Sequence, residues 1–217
     1  MQIGPYQLYS IETSEFALDG GAMFGIIPKP LWEKKAPADE QNRISMVTRS
    51  LLLVSDKHKI IVDTGNGTKW QEKFKDIYRI DLDNLNLEKS LAKYGYTTDD
   101  ITDVYCTHLH FDHVGGNTQI VDGKLEPVFQ KATYWVQKEN WELANSPSEK
   151  DTGSFMSDDW SVLEENGMIQ FVDGKESFLP GIENHLTYGH TTGLMHPIIC
   201  DSSQKLIYMA DLIPMAA

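Results

Sequence analysis

Long apolar runs and cysteines are both scarce in this sequence. No run approaches the roughly 20 apolar residues that a membrane-spanning helix needs, so we expect no membrane partner. Residues 1–6 carry neither the basic nor the apolar segment of a signal peptide, which favours a cytoplasmic location. Cys106 and Cys200 are the only cysteines, and both lie in apolar strand-like runs. They are typical of reduced core residues rather than of a disulfide framework.

Basic residues are also in short supply. The chain has 19 Lys and Arg against 32 Asp and Glu, giving a formal net charge of −13. This balance argues against nucleic acid or an anionic membrane surface as a partner. Apolar residues make up 41% of the chain, which is enough for a core. We therefore expect a single domain over residues 1–217.

Histidine is infrequent overall but concentrated in one stretch. Of the seven histidines, three fall with an aspartate in the motif His108-x-His110-x-Asp112-His113. A short β-branched strand at residues 103–106 precedes the motif and a pair of glycines follows it, so we expect the four side chains to leave a strand end in a loop. Such a turn lets His108 and His110 chelate one ion while the other two side chains reach a second. Imidazole with carboxylate suits zinc, and also manganese, iron or cobalt.

This motif resembles the hallmark of the metallo-β-lactamase superfamily, and the resemblance runs from about residue 40 to the end of the chain. It implies an α/β fold, an αββα sandwich with two divalent metal ions at one edge. The run G-H-T-T-G is similar to a family loop that would make His190 the third ligand of the first metal. The run M-A-D resembles the strand end that would make Asp211 a ligand of both ions. The run I-I-V-D-T-G matches a buried turn in which Asp63 would hold the metal loop by hydrogen bonds rather than bind metal.

A second stretch combines glycines and prolines with large apolar side chains. Within residues 18–32, the side chains of Met23, Phe24, Ile26 and Trp32 would wall an apolar pocket. Packing of the same side chains into the core is the alternative. The string D-G-G-A-M-F-G-x-x-P-K-P-L-W resembles that of quorum-quenching N-acyl-homoserine lactone lactonases and of related organophosphate hydrolases. This resemblance implies a small-molecule substrate with an apolar chain, and a homodimer remains open.

Periodicity predicts most of the remaining elements. Strands are expected at residues 6–12, 46–54, 59–63, 133–136, 197–200 and 205–210, and helices at 87–94 and 137–145. Residues 146–159 are expected to form a mobile excursion of low apolar content. The family resemblance implies that such an insertion borders the substrate cleft, where Phe155, Met156 and the following Trp160 would be lid residues. His196 is expected in a core or supporting role rather than as a ligand.

The resemblance departs from the family pattern at the C-terminal end. Dinuclear members use one more histidine well downstream of the bridging aspartate, and some lactonases place a tyrosine shortly after it. Neither residue type follows Asp211 in this chain. The last strands and helix of the family are absent too, so we expect a sandwich that is incomplete at its C-terminal end.

Together these features predict a metal-dependent hydrolase that opens lactones with a metal-bound hydroxide. Asp112 would act as the catalytic residue that passes a proton to the leaving alkoxide. Three alternatives stay open. The first is a phosphotriester hydrolase with the same metals, and the second is a di-iron oxidoreductase of the same fold, although nothing resembles an attached flavin domain. The third is an inactive or metal-binding fragment.

Overall fold

The computed structural model describes residues 1–174 and 176–215; of the predicted domain 1–217, residues 175, 216 and 217 lie outside the described residues. The strands are β1 (Gln2–Ile3), β2 (Tyr6–Asp19), β3 (Arg43–Val54), β4 (Lys59–Val62), β5 (Asp103–Tyr105), β6 (Thr118–Val121), β7 (Lys124–Pro127), β8 (Thr133–Gln137), β9 (Ile169–Val172), β10 (Ile182–Thr187), β11 (Leu194–Cys200) and β12 (Lys205–Ile207). The α-helices are α1 (Gly20–Phe24), α2 (Lys29–Trp32), α3 (Glu72–Tyr78), α4 (Leu87–Ala92), α5 (Phe111–Val114), α6 (Lys138–Asn145) and α7 (Ser161–Glu165). Short 3-10 turns lie at Thr98–Asp100, Gly115–Asn117, Thr152–Ser154, Ser157–Asp159 and Ala210–Leu212.

The largest sheet has seven strands in the order β1-β2-β3-β4-β5-β8-β9. Its first four strands pair antiparallel, whereas the pairs β4–β5, β5–β8 and β8–β9 are parallel. Parallel neighbours need long connections, and here those connections carry helices α3, α4, α6 and α7. The carboxyl ends of β4, β5 and β8 therefore meet at one edge of the sheet, where polar residues follow each strand.

A second sheet of order β10-β11-β12 packs against the first. Alternate residues of β3 show how the layers are separated: Leu52 packs with the apolar residues of helices α4, α6 and α7, while Leu51 and Leu53 pack with Met195 and Ile199 of β11. The period-2 alternation of a strand thus fills two cores with one sequence run. The result is a sandwich of helices, sheet and sheet. None of the helices among residues 1–174 and 176–215 is both long and apolar enough to span a bilayer.

Strand β2 is longer than its weak alternation predicts, running to Asp19 rather than to residue 12. The pattern breaks at Thr13 and Ser14, where the pairing with β3 shifts register. Both hydroxyls are buried and lie 2.6 and 2.7 Å from the hydroxyl of Thr48 on β3. Because each buried polar group has a partner, the strand continues through a polar step that sequence periodicity reads as an end.

The predicted strand at residues 205–210 is shorter in the structure, where β12 ends at Ile207. Ala210 adopts a positive φ of 41° and opens the 3-10 turn that carries Asp211. Asp211 is therefore delivered by a turn rather than by a strand end, because the chain must bend from the second sheet toward the edge of the first.

Candidate metal centre at the ends of the parallel strands

Asp63 follows β4 directly and joins that strand to the histidine motif. Its carboxylate accepts hydrogen bonds from the N–H and the hydroxyl of Thr107, both at 2.8 Å, and from Nδ1 of His113 at 2.8 Å. Asp63 is buried and has a φ of 57°, a conformation that non-glycine residues rarely adopt. One carboxylate therefore fixes both ends of the segment from Thr107 to His113.

The motif itself is part loop and part helix, so the prediction of a loop for all four side chains is wrong in its second half. His108 and His110 lie in the extended stretch after β5, but Phe111–Val114 forms one helical turn that begins after His110. A single turn suffices because Asp112 and His113 are adjacent and the first two histidines approach from outside it. A whole helix could not bring His108, His110 and His113 into one cluster, but one helical turn joined to a loop does.

Glycines allow this turn to lie directly on the backbone that follows Asp63. A Cβ on Gly67 would lie 2.1 Å from the carbonyl oxygen of Gly115, and one on Gly116 would lie 2.4 Å from that of Thr64. The N–H of Thr64 also donates to the carbonyl of His113 at 2.7 Å. The glycines are thus required by close backbone approach.

His190 and Asp211 arrive from the second sheet and its following turn. Nε2 of His190 lies 3.0 Å from Nδ1 of His110 and 3.2 Å from Oδ2 of Asp211. The other oxygen of Asp211, Oδ1, lies 3.1 Å from Nε2 of His113. The two sheets therefore bring together side chains that are about 100 positions apart in sequence.

Among the described residues, the potential ligand atoms form two groups, and within each group the atoms lie within 4.8 Å of one another. One group is His108, His110 and His190, and the other is His108, His113 and Asp211. Asp112 belongs to neither set; its Oδ2 lies 3.8 Å from Nε2 of His113. His108 is 1% exposed, and its Nε2 is buried with no hydrogen-bond partner within the described chain. A buried nitrogen of this kind fits a metal ligand, since an unsatisfied buried polar atom is otherwise costly.

The protonation states also suit a cation. Burial lowers the pKa of His108 well below its usual value, and the neighbouring imidazoles lower it further. Burial, with the adjacent His190, lowers the pKa of His110 to about 3. Burial would lower the pKa of His113 as well, but nearby carboxylates, Asp211 foremost, raise it well above its usual value. Burial would raise the pKa of Asp211, but the neighbouring imidazoles, His113 foremost, outweigh it and lower that pKa to about 2. His108 and His110 therefore offer neutral imidazole nitrogens beside the ionised carboxylate of Asp211, whereas His113 has to release a proton when a metal ion binds.

A cavity of about 690 Å³ opens beside these side chains. Its wall combines polar groups of the cluster with apolar side chains, among them Phe16, Leu18, Met23, Met46 and Phe111. Across the opening, Gly153 and Ser154 line the cavity, and the ring of Phe155 lies edge-on to His110 at 4.9 Å. The predicted excursion at residues 146–159 therefore borders the cluster.

The four residues predicted to wall an apolar pocket have different positions. Met23 lines the cavity, and its part in substrate binding stays a prediction. Trp32 is 4% exposed and lies under Gly20, so it packs in the core, with Phe24 stacked on it at 5.0 Å. Ile26 is fully exposed. Phe24 ends α1, Ile26 lies between α1 and α2, and Trp32 ends α2. None of these three residues lines the cavity.

Two side chains near the cluster, those of Tyr208 and Asn140, are not predicted from the sequence. Tyr208 lines the cavity, and its hydroxyl donates to the carbonyl of Arg49 at 2.5 Å; it lies before Asp211, not after it. Asn140, in α6, hydrogen-bonds the backbone on both sides of the cluster. Neither has a sequence signal: Tyr208 directly follows β12 and Asn140 lies in a short helix, and only the fold brings each of them close to the cluster.

Comparison with known proteins agrees with this architecture. The profile of the metallo-beta-lactamase superfamily matches residues 46–217. The chain belongs to the metallo-β-lactamase superfamily. The predicted α/β class and metallo-β-lactamase sandwich are thereby confirmed.

Solved structures resemble nearly the whole chain. A probable metal-dependent hydrolase from Staphylococcus aureus superposes with a TM-score of 0.88 at 28% identity, covering 100% of this chain and 76% of its own. A dizinc quorum-quenching lactonase, AidC, solved with a product of its reaction, gives a TM-score of 0.77 at 23% identity, covering 98% of this chain and 74% of its own. At that identity, the second likeness speaks for the fold alone.

An N-acyl homoserine lactonase from a Bacillus species is 27% identical over 103 residues, which is 48% of this chain and 34% of that protein. The match thus spans only about a third of the curated relative. The predicted resemblance to N-acyl-homoserine lactone lactonases is confirmed by these similarities.

Proposed function

We propose that the protein is a metal-dependent hydrolase that opens lactones, with N-acyl-homoserine lactones as the substrate class. The observation that carries the proposal is the convergence of His108, His110, His113, His190 and Asp211 at one sheet edge. Asp112 lies next to His113, and the adjoining cavity has apolar side chains in its wall. The likeness to lactonases and to a probable metal-dependent hydrolase supports it.

The donor set fits two divalent metal ions, with zinc as the first choice and manganese, iron or cobalt as alternatives. His108, His110 and His190 would hold one ion, and His113, Asp112 and Asp211 the other. The two oxygens of Asp211 lie toward His190 and His113 respectively, which supports a shared carboxylate. When bound, such cations lower the pKa of water and polarise a carbonyl oxygen.

The side chains of the protein have three tasks in this proposal. Asp63 keeps His113 oriented through the hydrogen bond to Nδ1, so that Nε2 faces the cluster. Asp112, whose carboxyl borders the cavity, carries a proton to the alkoxide oxygen that leaves as the ring opens. The apolar wall, including Met23 and Phe111, binds the acyl chain and excludes water from it.

The cysteines support a reducing compartment. Both Cys106 and Cys200 are free thiols, as expected of a cytoplasmic protein.

Hydrolysis assays on zinc-loaded protein test the proposal. We expect ring opening of N-hexanoyl- and N-decanoyl-homoserine lactone, followed by proton release, to be faster than hydrolysis of an aryl phosphotriester. The reverse order would favour the phosphotriester alternative, and no hydrolysis of either substrate by protein with two bound zinc ions would refute the proposal.

Asp112→Asn tests the assigned proton carrier. Its kcat should fall by about 10²- to 10⁴-fold, a larger change than any loss of bound zinc. Lactone hydrolysis near the rate of the unaltered protein would remove Asp112 from this role.

A further inference from the structure

The side chain of Asn140 connects the two loops that carry the three-histidine set. It is 1% exposed and lies in the first turn of α6. Its Oδ1 accepts from the N–H of Leu109 at 2.9 Å. Its Nδ2 donates to the carbonyl of Thr192 at 2.7 Å and to the hydroxyl of Thr191 at 3.2 Å. Both donors of the amide are thus in use, together with its acceptor.

Asn140 contacts residues that are adjacent in sequence to the candidate metal ligands. Leu109 lies between His108 and His110, and Thr191 follows His190 directly. A single side chain therefore connects two loops whose histidines are 80 positions apart in the chain. An amide suits this position, because one end must accept from an N–H and the other must donate to a carbonyl.

The loop after His190 packs closely against the start of α6. Gly193 has a φ of 68°, and a Cβ there would lie 2.5 Å from Oε1 of Gln137 and 3.2 Å from the backbone nitrogen of Asn140. The same Gln137 oxygen accepts from the N–H of Asn140 at 3.0 Å. The loop after His190 thus lies directly on the end of the helix, within reach of the Asn140 amide.

We propose that Asn140 is a positioning residue that sets the spacing of His190 from His108 and His110 before a metal ion arrives, and thereby the metal affinity of this set. The inference rests on the metal-binding role in the proposed function, but not on the choice of substrate. Groups that orient ligands commonly change metal affinity about 10- to 100-fold when they are removed.

Two variants test the proposal. Asn140→Leu keeps the shape of the side chain and removes all its hydrogen bonds, and Asn140→Ser leaves space for water without spanning the loops. The backbone hydrogen bond from Met195 N–H to the Thr107 carbonyl joins the same regions independently, which favours folding of both variants. Asn145→Leu and Asn145→Ser are the matched controls, since Asn145 is exposed on the same helix and its amide donates to the carbonyl of Trp141, within its own helix.

The first readout is the zinc dissociation constant, measured by competition with a chromophoric chelator, together with the visible spectrum of bound Co(II), which reports coordination geometry. We expect both Asn140 variants to weaken zinc binding at least tenfold and to change the cobalt spectrum, with the controls unchanged. A merely structural role would lower the unfolding midpoint without moving either. Unchanged zinc affinity and an unchanged cobalt spectrum in a folded Asn140 variant would overturn the proposal.

The second readout needs no metal. Amide hydrogen exchange in metal-free protein should be faster at Leu109 in both Asn140 variants and unchanged in the controls, because the acceptor of that N–H is lost. If the unaltered protein bound no zinc, the metal-binding role would fail. Unchanged exchange at Leu109 would contradict positioning by Asn140 itself.

Discussion

Two Asp–His pairs lie at opposite ends of the same two strands, and they have different consequences. At the amino ends of β4 and β5, Nδ1 of His58 lies 2.9 Å from Oδ2 of Asp103. At the carboxyl ends, Nδ1 of His113 lies 2.8 Å from Oδ2 of Asp63. The residue types and the distances are nearly the same, so the pair alone does not define a site.

The difference lies in what surrounds each imidazole. Asp103 also accepts from Nε1 of Trp135 and the hydroxyl of Thr102, which ties strands together, and the His58 side chain is 30% exposed. His113 instead turns its Nε2 toward Asp211 and packs against His108. Throughout residues 1–174 and 176–215, the groups of three or more close ligand atoms all lie at the carboxyl end. Convergence of several chain segments, rather than the pair, makes the candidate centre.

The largest expected effect comes from removing a histidine at each end. His110→Ala should lower kcat/KM for lactone by about 10³-fold, or ~4 kcal/mol, because one ligand of the three-histidine set is lost. His58→Ala should leave kcat/KM and bound zinc unchanged. Steady-state kinetics and metal analysis of both variants check this. An equal loss of activity in His58→Ala would remove the distinction between the two ends.

Replacing a glycine beside the metal loop should destabilise the protein more than replacing a glycine elsewhere, because only the first is packed against backbone. Gly67 and Gly95 both have positive φ, but a Cβ on Gly67 meets the Gly115 carbonyl whereas one on Gly95 meets nothing within 4 Å. Gly67→Ala should cost about 3 kcal/mol of unfolding free energy, from conformational strain plus overpacking, and Gly95→Ala about 1 kcal/mol from strain alone. Urea unfolding of metal-free protein measures both. Equal costs would mean that the loop after Asp63 does not lie against the metal loop.

The two carboxylates provide the direct test of the comparison. Asp63→Asn should raise the zinc dissociation constant about 10- to 100-fold, because the amide cannot orient His113 and accept from Thr107 as a carboxylate does. Asp103→Asn should leave that constant unchanged and act on stability only. Chelator competition on the two variants gives the answer, and a matched loss of zinc affinity in both would contradict the assignment of Asp63.

The smallest effect is expected in the apolar segment before β3. Met23→Ala should raise KM for N-decanoyl-homoserine lactone about five-fold, or ~1 kcal/mol of lost apolar contact. Ile26→Ala should leave it unchanged, because Ile26 is fully exposed. A shift of equal size in Ile26→Ala would show that the segment rearranges when substrate binds.

The sequence predicts the candidate metal ligands better than it predicts the residues that hold the surrounding loops in place. The residues of the histidine motif are close together in sequence. In the structure, they lie in one extended stretch and the helical turn that follows it. Family motifs mark Asp63 as a residue that holds the metal loop and Asp211 as a metal ligand. The motif of Asp211 predicts a strand end, whereas the structure has a turn there. Asn140 and Tyr208 could not be found, because their contacts are made across the fold and no local pattern depends on them.

Apolar composition was a weaker guide for residues 18–32. Met23, Phe24, Ile26 and Trp32 look alike in sequence, but Asp19 caps α1 by accepting from the N–H of Ala22 at 2.8 Å. The two short helices that follow then direct the four side chains to a cavity wall, to the core or to solvent. Composition cannot distinguish these positions, since burial of a large side chain in a pocket or in a core requires the same residue types.

The amount of zinc bound per chain decides whether the ends of the parallel strands form a metal centre. The protein would be stripped with a chelator, reloaded with zinc, dialysed and analysed by mass spectrometry of the metal. We expect close to two zinc ions per chain in the unaltered protein and in His58→Ala. One ion would contradict the dinuclear proposal, and none in a folded protein would contradict a metal centre at the ends of the parallel strands.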